Sequence, residues 1–372
     1  MATRQSPLSL RDELLGRVLA QKHVGSIDGS VAKQVLQRQG LPIPHKGRWQ
    51  FTDLSVIIDD AIALRRNANL HESSVADLNI KTSSNVETSL SGQMGAVEAS
   101  ETGSLIAVNG IFAPRFVQLK ALDSADQVAN IELPNRRQLD HYRIKIGKHA
   151  ACSLTDKFTG GNRVVLCELD GGATLDYSMV LEPTKDISYH ALVVTMHADS
   201  TFNLHSASRG AKLSCNEVVV NIVGASATAS LSGGWHLNDH SHSDTHVYVN
   251  HRVGGSTSEQ KFHGVVDDSA RSSFTGCITI EQDASGTEAH LTNRNLATGP
   301  NARAYAQPEL EIYTDDVVCS HGATTGQLDD DALFLLQSRG IAESRARELL
   351  IRGFLRAAVD TPEGAKLLSL ET

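Results

Sequence analysis

Cys319 and His321 stand one residue apart in the run Val317-Val318-Cys319-Ser320-His321-Gly322. Alternate residues of an extended strand face the same way, so thiol and imidazole would project side by side, with Val317. Thiolate and imidazole are donors for soft and borderline metals, and the same two groups form a reactive pair. On spacing alone the plainer reading is a small buried cysteine beside a hydrogen-bonded surface histidine. A second concentration of imidazoles runs from His236 to His251. There His240, His242 and His246, with Asp239 or Asp244, offer a donor set for zinc or iron. A regular strand would bring His240, His242, Asp244 and His246 to one face; the plainer alternative is an exposed polar rung and its turn. His263 and His290 read as surface residues of such rungs. Asp267-Asp268 and Asp315-Asp316 would suit a carbohydrate-active β-helix only if both carboxylates met at one glycosidic bond. Neighbours in a strand point to opposite faces, so these pairs read as turn caps. The chain lacks both a Gly-x-x-x-x-Gly-Lys-Ser/Thr loop and a Gly-x-Gly-x-x-Gly turn, so neither ATP hydrolysis by this chain alone nor dinucleotide chemistry is expected.

The elements that must position Cys319 and His321 are legible on both sides. Leu310-Glu311-Ile312 alternates as a half-buried strand, Asp315-Asp316 interrupts it, and the thiol–imidazole pair follows near the end of a sheet. Gly322 and Gly326 bracket a turn, and Asp329 to Asp331 offer a cap for a short helix that Gly340 ends. Ala346, Leu349, Leu350 and Phe354 then recur at helical spacing, with Gly353 open to close approach by a partner helix. Thr361-Pro362 reads as an N-cap followed by proline at the first helical position. Upstream, short apolar runs such as Arg143–Ile146, Val164–Cys167, Glu217–Val220 and Cys277–Ile280 are separated by small Gly-Ala turns at 147–150, 171–173 and 224–227. One repeated turn type, without Asn-Gly hairpin signals, favours a parallel β-helix over a sandwich. The start of the chain reads helical instead. Ser9 would cap a helix carrying Leu10, Leu14 and Val18; Ser30 would begin a second, ended by Gly40 and Pro42; Leu54 to Leu64 forms a third. The polar stretch from Glu72 to Glu101 reads as a long loop or weak β structure. The expected organisation is a mostly helical region over 1–103, a β-helix core over 104–325 and a helical domain over 326–372.

Composition fits this architecture. The 372 residues are 40% hydrophobic and 21% charged, enough to bury a core, with only 5% aromatics and 29 glycines, a balance that suits thin β layers and small turns. A net charge of −9 argues against a nucleic-acid partner. No apolar run approaches the length of about 20 residues that spans a bilayer, and the first residues lack the apolar core of a secretory signal. The five cysteines, at 152, 167, 215, 277 and 319, form no Cys-x-x-Cys pair, so reduced cytoplasmic thiols are expected, not a disulfide framework or a self-contained cluster site.

The block Pro308-Glu309-Leu310-Glu311-Ile312, Asp315-Asp316-Val317, Cys319-Ser320-His321-Gly322-Ala323-Thr324 and Ser338-Arg339-Gly340-Ile341 closely resembles the signature of the SufB/SufD family of iron–sulphur cluster assembly scaffolds. Thr292–Leu296, Lys261–Asp268, Gly40–Pro42 and Trp49–Leu54 resemble it too. SufB-like members read Cys-Glu-His-Glu around the histidine. Here Ser320 and Gly322 flank His321, and no N-terminal cysteine cluster is present, so the likeness is to SufD. The resemblance implies a right-handed parallel β-helix core flanked by N-terminal and C-terminal α-helical segments, mainly β overall. It implies a non-catalytic scaffold in the cytoplasm, pairing with a SufB-like paralogue through the last rungs and docking a SufC-like ATPase on the C-terminal helices. His321 would then help to hold a nascent Fe–S cluster at the interface, with Cys319 as a further ligand or sulphur acceptor, and no cofactor tightly bound to the isolated chain. A homodimer through the same edge is the alternative assembly. The chain ends soon after His321 for this family, which points to a shortened last helix. No membrane or nucleic-acid partner is implied.

Overall fold

The computed structural model describes residues 7–20, 36–37, 40–41, 52–67, 80–91, 104–112, 116–123 and 127–370. From residue 116 to residue 326 the chain passes alternately between two nine-stranded sheets. One sheet ends on the strand Val317–Gly326 and the other on Arg303–Ile312. Within each, successive strands pair in parallel, giving a flattened parallel β-solenoid of about eight turns. Gln138 pairs with Gly161 in an early rung, Val218 with Val247 in a middle one and Cys277 with Glu309 in the last, so the rungs lengthen toward the C-terminus.

The lumen is filled by side chains that recur at alternate positions. Leu154, Tyr177, Leu204 and Leu231 stack on one wall, and Ile144, Val194, Val220 and Ile278 on the other. Each rung thereby buries its inward face on the rungs before and after it, which a single rung could not do alone. The Gly-Ala turns are the corners. His149, Gly172, Asp199 and Ser226 all adopt the left-handed conformation, with φ of 56°, 69°, 59° and 59°. Their N–H groups form a ladder along the corner: His149 bonds Gly171 O, Gly172 bonds Ala198 O and Asp199 bonds Ala225 O. The polar insertions in the lumen are paired. Arg163, fully buried, donates from Nη1 to Asp156 Oδ1 (2.5 Å) and from Nη2 to Asp140 Oδ2 (2.9 Å), and Tyr177 Oη and His190 Nε2 meet Asp156 Oδ2, each at 2.7 Å. Burial alone would raise Asp156, but Arg163 and His190 beside it hold its carboxyl below the usual range.

Helices cover the outer faces. α1 (Pro7–Leu19), α2 (Leu54–Asn67) and α3 (Ser104–Phe112) bring Leu14, Ile58, Leu105 and Phe112 onto Val164, Tyr189 and Ala191. This explains why the strand Gly161–Leu169 is buried on both faces. Asn109 pins α3: its Nδ2 donates to Asn162 Oδ1 (2.7 Å), and its Oδ1 meets His141 Nδ1 (2.8 Å). On the other sheet, α4 (Asp330–Ser338), α5 (Glu343–Arg356) and α6 (Pro362–Leu367) follow the last strand. Leu355, Val359, Ala365 and Leu368 pack there on Ala207 and Val265.

Several expectations meet the structure directly. Leu54 to Leu64 is helical, as α2. Asp329 caps α4, accepting from the N–H groups of Asp331 and Ala332, Gly340 stops it at φ 81°, and Thr361 caps α6 with Pro362 following. α1 begins at Pro7, before the expected cap at Ser9, because proline suits the first helical turn. The helix expected from Ser30 lies outside the described residues except near its end, where Gly40 N–H bonds Leu36 O (2.8 Å) at φ 71°. In the stretch expected as loop or weak β, the described part forms two short strands, Lys81–Thr82 and Val86–Ser91, both antiparallel to the first rungs. Ser104–Phe112, expected as the onset of β texture, is a helix; a short, uniformly apolar run carries no period that separates the two. A side chain at Gly353 would meet no atom within 4 Å, so no described element makes the close helix contact expected there. No helix among the described residues is long and apolar enough to cross a membrane.

Candidate functional site

Cys319 and His321 both lie on Val317–Gly326, the last strand of its sheet. Cys319 is in register with Ala289 and His321 with Leu291, two lumen residues of the rung beneath. Thiol and imidazole therefore share the inward face, as alternation requires. Val317 and Cys319 are half-buried against the core, whereas His321 is exposed, because no further rung covers it. A side chain at Gly322 or Gly326 would likewise meet no atom within 4 Å. Burial pushes the Cys319 thiol above its ordinary value, opposed by a hydrogen bond from the Ala289 backbone. That shift favours the protonated thiol.

One feature of the site had no signal in the sequence. Ser320, on the outward face, has its Oγ 2.7 Å from His290 Nδ1 on the neighbouring strand, and His290 Nε2 lies 3.2 Å from Glu288 Oε1. His290 is a surface residue, as expected. Hydroxyl, imidazole and carboxylate line up as in a hydrolase, but His290 and Glu288 are 37% and 58% exposed, so water screens the nucleophile. The line fixes the strand beside His321. The sequence separation set by rung length is what hid it.

The histidine-rich segment does not converge. His240 sits exposed in a turn beside Asp239, which has φ 56°. Asp244 and His246 are buried on the outer face, with His246 Nε2 3.2 Å from Asp244 Oδ1 and Nδ1 3.2 Å from Tyr248 Oη. His251 is turned into the lumen between Ser256 Oγ (2.7 Å) and Ser258 Oγ (2.8 Å). Among the described residues, two groups of potential ligands have all their atoms within 4.8 Å of one another: Glu168 with Asp170 and His197, and Cys277 with Glu309 and Glu311. Neither includes a histidine of this segment. In the first, Lys145 Nζ already lies 3.3 Å from Glu168 and 3.1 Å from Asp170. His263, expected at the surface, is buried under α5, donating from Nδ1 to Phe354 O (2.7 Å). The acidic pairs serve the turns: Asp268 Oδ2 accepts from Asp239 N (3.0 Å), and Asp316 Oδ2 from Ser285 Oγ (3.0 Å).

Around the open end the surface carries several exposed apolar side chains. Tyr305, Ile312, Tyr313, Val318, Phe334 and Leu335 are all large and exposed. They lie on the two last strands, the loop between them and α4. All five cysteines are free thiols, and only Cys319 reaches the surface.

Comparison with known proteins gives a consistent result. The family model for the SufBD core domain of SUF system FeS cluster assembly matches residues 129–354. The iron–sulphur cluster assembly protein SufD of Escherichia coli is 42% identical over 111 residues, 30% of this chain and 26% of that protein. SufD of Bacillus subtilis is 43% identical over 98 residues, 26% of this chain and 22% of its own length. A SufBD family protein of Mycobacterium tuberculosis H37Rv is 30% identical over 229 residues, 55% of this chain and 58% of the relative. The chain therefore spans from about a quarter to somewhat over half the length of these relatives.

Proposed function

This chain belongs to the SufBD family of the SUF system for iron–sulphur cluster assembly and is SufD-like, and on that premise we propose that it is a non-catalytic scaffold subunit whose last rung forms half of a cluster-building interface. The observation that carries the reading is His321, exposed on the uncovered inward face of a terminal strand, with Cys319 on the same side. An unpaired sheet edge offers backbone donors and acceptors to a second chain. The exposed apolar residues around this edge supply the desolvation that such pairing needs. A SufB-like paralogue with a matching solenoid end is the partner that fits, and a SufC-like ATPase docks on the C-terminal helices. Iron and sulphide are then cargo captured between the two solenoids, with the imidazole of His321 as one ligand and the Cys319 thiol, once deprotonated, as a second donor. The free thiols suit a reducing, cytoplasmic setting.

The test is co-expression with a SufB-like paralogue and a SufC-like ATPase, with purification through a tag on this chain. Recovery of both partners with bound iron and sulphide is expected. Recovery of this chain alone, or only as a homodimer, overturns the proposed assembly.

A further inference from the structure

We propose that the cleft between the C-terminal helices and the outer face of the solenoid binds a small ligand carrying a phosphate or carboxylate group. The cleft, about 530 Å³ in volume, is walled by the solenoid on one side and by α5 on the other. Its size suits a small organic molecule. Leu328, Ile351 and Leu368 give it an apolar lining. The charges around that lining are unevenly compensated. Glu348 is bonded by Arg345 Nη1 (2.8 Å) and Arg352 Nη1 (3.5 Å). Asp267 accepts from Asp268 N (2.8 Å). Arg347 reaches Glu343 with Nε (3.0 Å) at the rim.

Arg209 stands apart. Its Nε donates to Leu367 O and its Nη2 to Ser369 Oγ, each at 3.0 Å, and no carboxylate among the described residues lies within ion-pair distance of it. Burial lowers its pKa, with no acidic group opposing the shift. Its neighbour His236 is pushed toward the neutral form by burial first and by Arg209 second, against Asp267, so it adds no second cation. A partly desolvated guanidinium without a counter-ion is unfavourable, and its planar fork of donors matches an oxyanion. An anion seated between Arg209 and Arg347 would compensate that charge while its carbon skeleton covers Ile351 and Leu368. This inference uses none of the residues at the open end of the solenoid, although α5, which walls the cleft, is also one of the helices proposed to dock the ATPase.

The experiment is calorimetric titration of the full chain with inorganic pyrophosphate and, separately, with citrate, at constant ionic strength against a chloride control. Saturable one-to-one binding of at least one probe is expected, and which probe binds distinguishes phosphate from carboxylate. Arg209→Gln should weaken it at least tenfold and Arg347→Gln severalfold. Arg209 also tethers the chain after α6, so Ser369→Ala serves as the companion variant. It removes part of the tether, keeps the guanidinium and should bind as the parent does. Absence of saturable binding with both probes, an equal response to chloride, or unchanged affinity in both arginine variants overturns the proposal.

Discussion

Replacing His321 by alanine should separate function from fold, and the rung beneath supplies the control. His321 is exposed, and its ring makes no hydrogen bond or ion pair with any described residue. Removing it therefore belongs with surface substitutions, within about 0.5 kcal/mol. For a chain of this size that is a shift of at most about 2 °C in melting temperature. Leu291, in register directly below, is 1% exposed and fills the lumen. A side chain at Gly276 would overlap its Cδ1, so the space around it is already full. Leu291→Ala should cost about 2–5 kcal/mol, because the neighbouring rungs hold their spacing and cannot close the cavity. Both variants would be melted in isolation, then co-expressed with the partner subunits and assayed for iron and acid-labile sulphide. His321→Ala should melt like the parent and co-purify with its partners, yet carry under about a tenth of the cluster, the typical order of loss when a ligand or its support is removed. Leu291→Ala should lose cluster only in proportion to the folded protein recovered. Full cluster in His321→Ala removes the proposed role. Destabilisation of His321→Ala to the level of Leu291→Ala would mean that the imidazole is structural.

Val318→Asp places a charge in the exposed apolar patch of the last strand; it should weaken partner binding at least tenfold in a titration while leaving the melting temperature within about 2 °C, and unchanged binding would move the interface elsewhere. Arg163→Met removes the shared guanidinium, leaving Asp156 buried with only Tyr177 and His190 and Asp140 with only Arg136 (3.3 Å), and should lower unfolding free energy by about 3–5 kcal/mol; a denaturant midpoint like the parent's would contradict the pairing in the lumen. Burial lowers His141 to about 3, with Arg143 adding to the effect, and lowers His251 to about 4. An unfolded chain protonates these rings near pH 6.5, so the folded form is favoured above that pH. Stability should fall as pH drops from about 6.5 toward the folded values, approaching about 1.4 kcal/mol per pH unit for each ring. Urea unfolding at pH 7, 6 and 5 measures the slope, and His251→Gln should reduce it by one proton; an unchanged slope would place that ring's titration outside this window.

The fold was legible because its signals are local and repeated. Alternation in Val164–Cys167 and Glu217–Val220, together with the recurring Gly-Ala corners, specifies strands and a turn geometry that can stack. The caps at Asp329 and Thr361 were equally readable, since capping depends on residues within one turn of the helix. What stayed hidden depends on rung length. Nothing near Ser320 announces His290, and nothing in Leu355–Leu370 announces Arg209, because a solenoid joins residues whose separation varies from rung to rung. The histidine segment fails for a local reason. Its residues alternate correctly, but the chain corner takes His240 away and the lumen takes His251. Of the candidate site, the same-side placement of Cys319 and His321 followed from alternation. The exposure of His321 followed less directly, through the change from strand texture to the helix capped at Asp329, which leaves no further rung to cover it.

The two ends of the solenoid are not equivalent. At one end, Lys81–Thr82 and Val86–Ser91 run antiparallel to the strands they pair with, so a copy that continued the stack in parallel there would meet a strand of reversed direction. The opposite face ends instead on strands parallel to those beneath them. A rod that joined a neighbour only through that terminus would close after a single union, so molecules pairing there would meet as couples and not string into fibres.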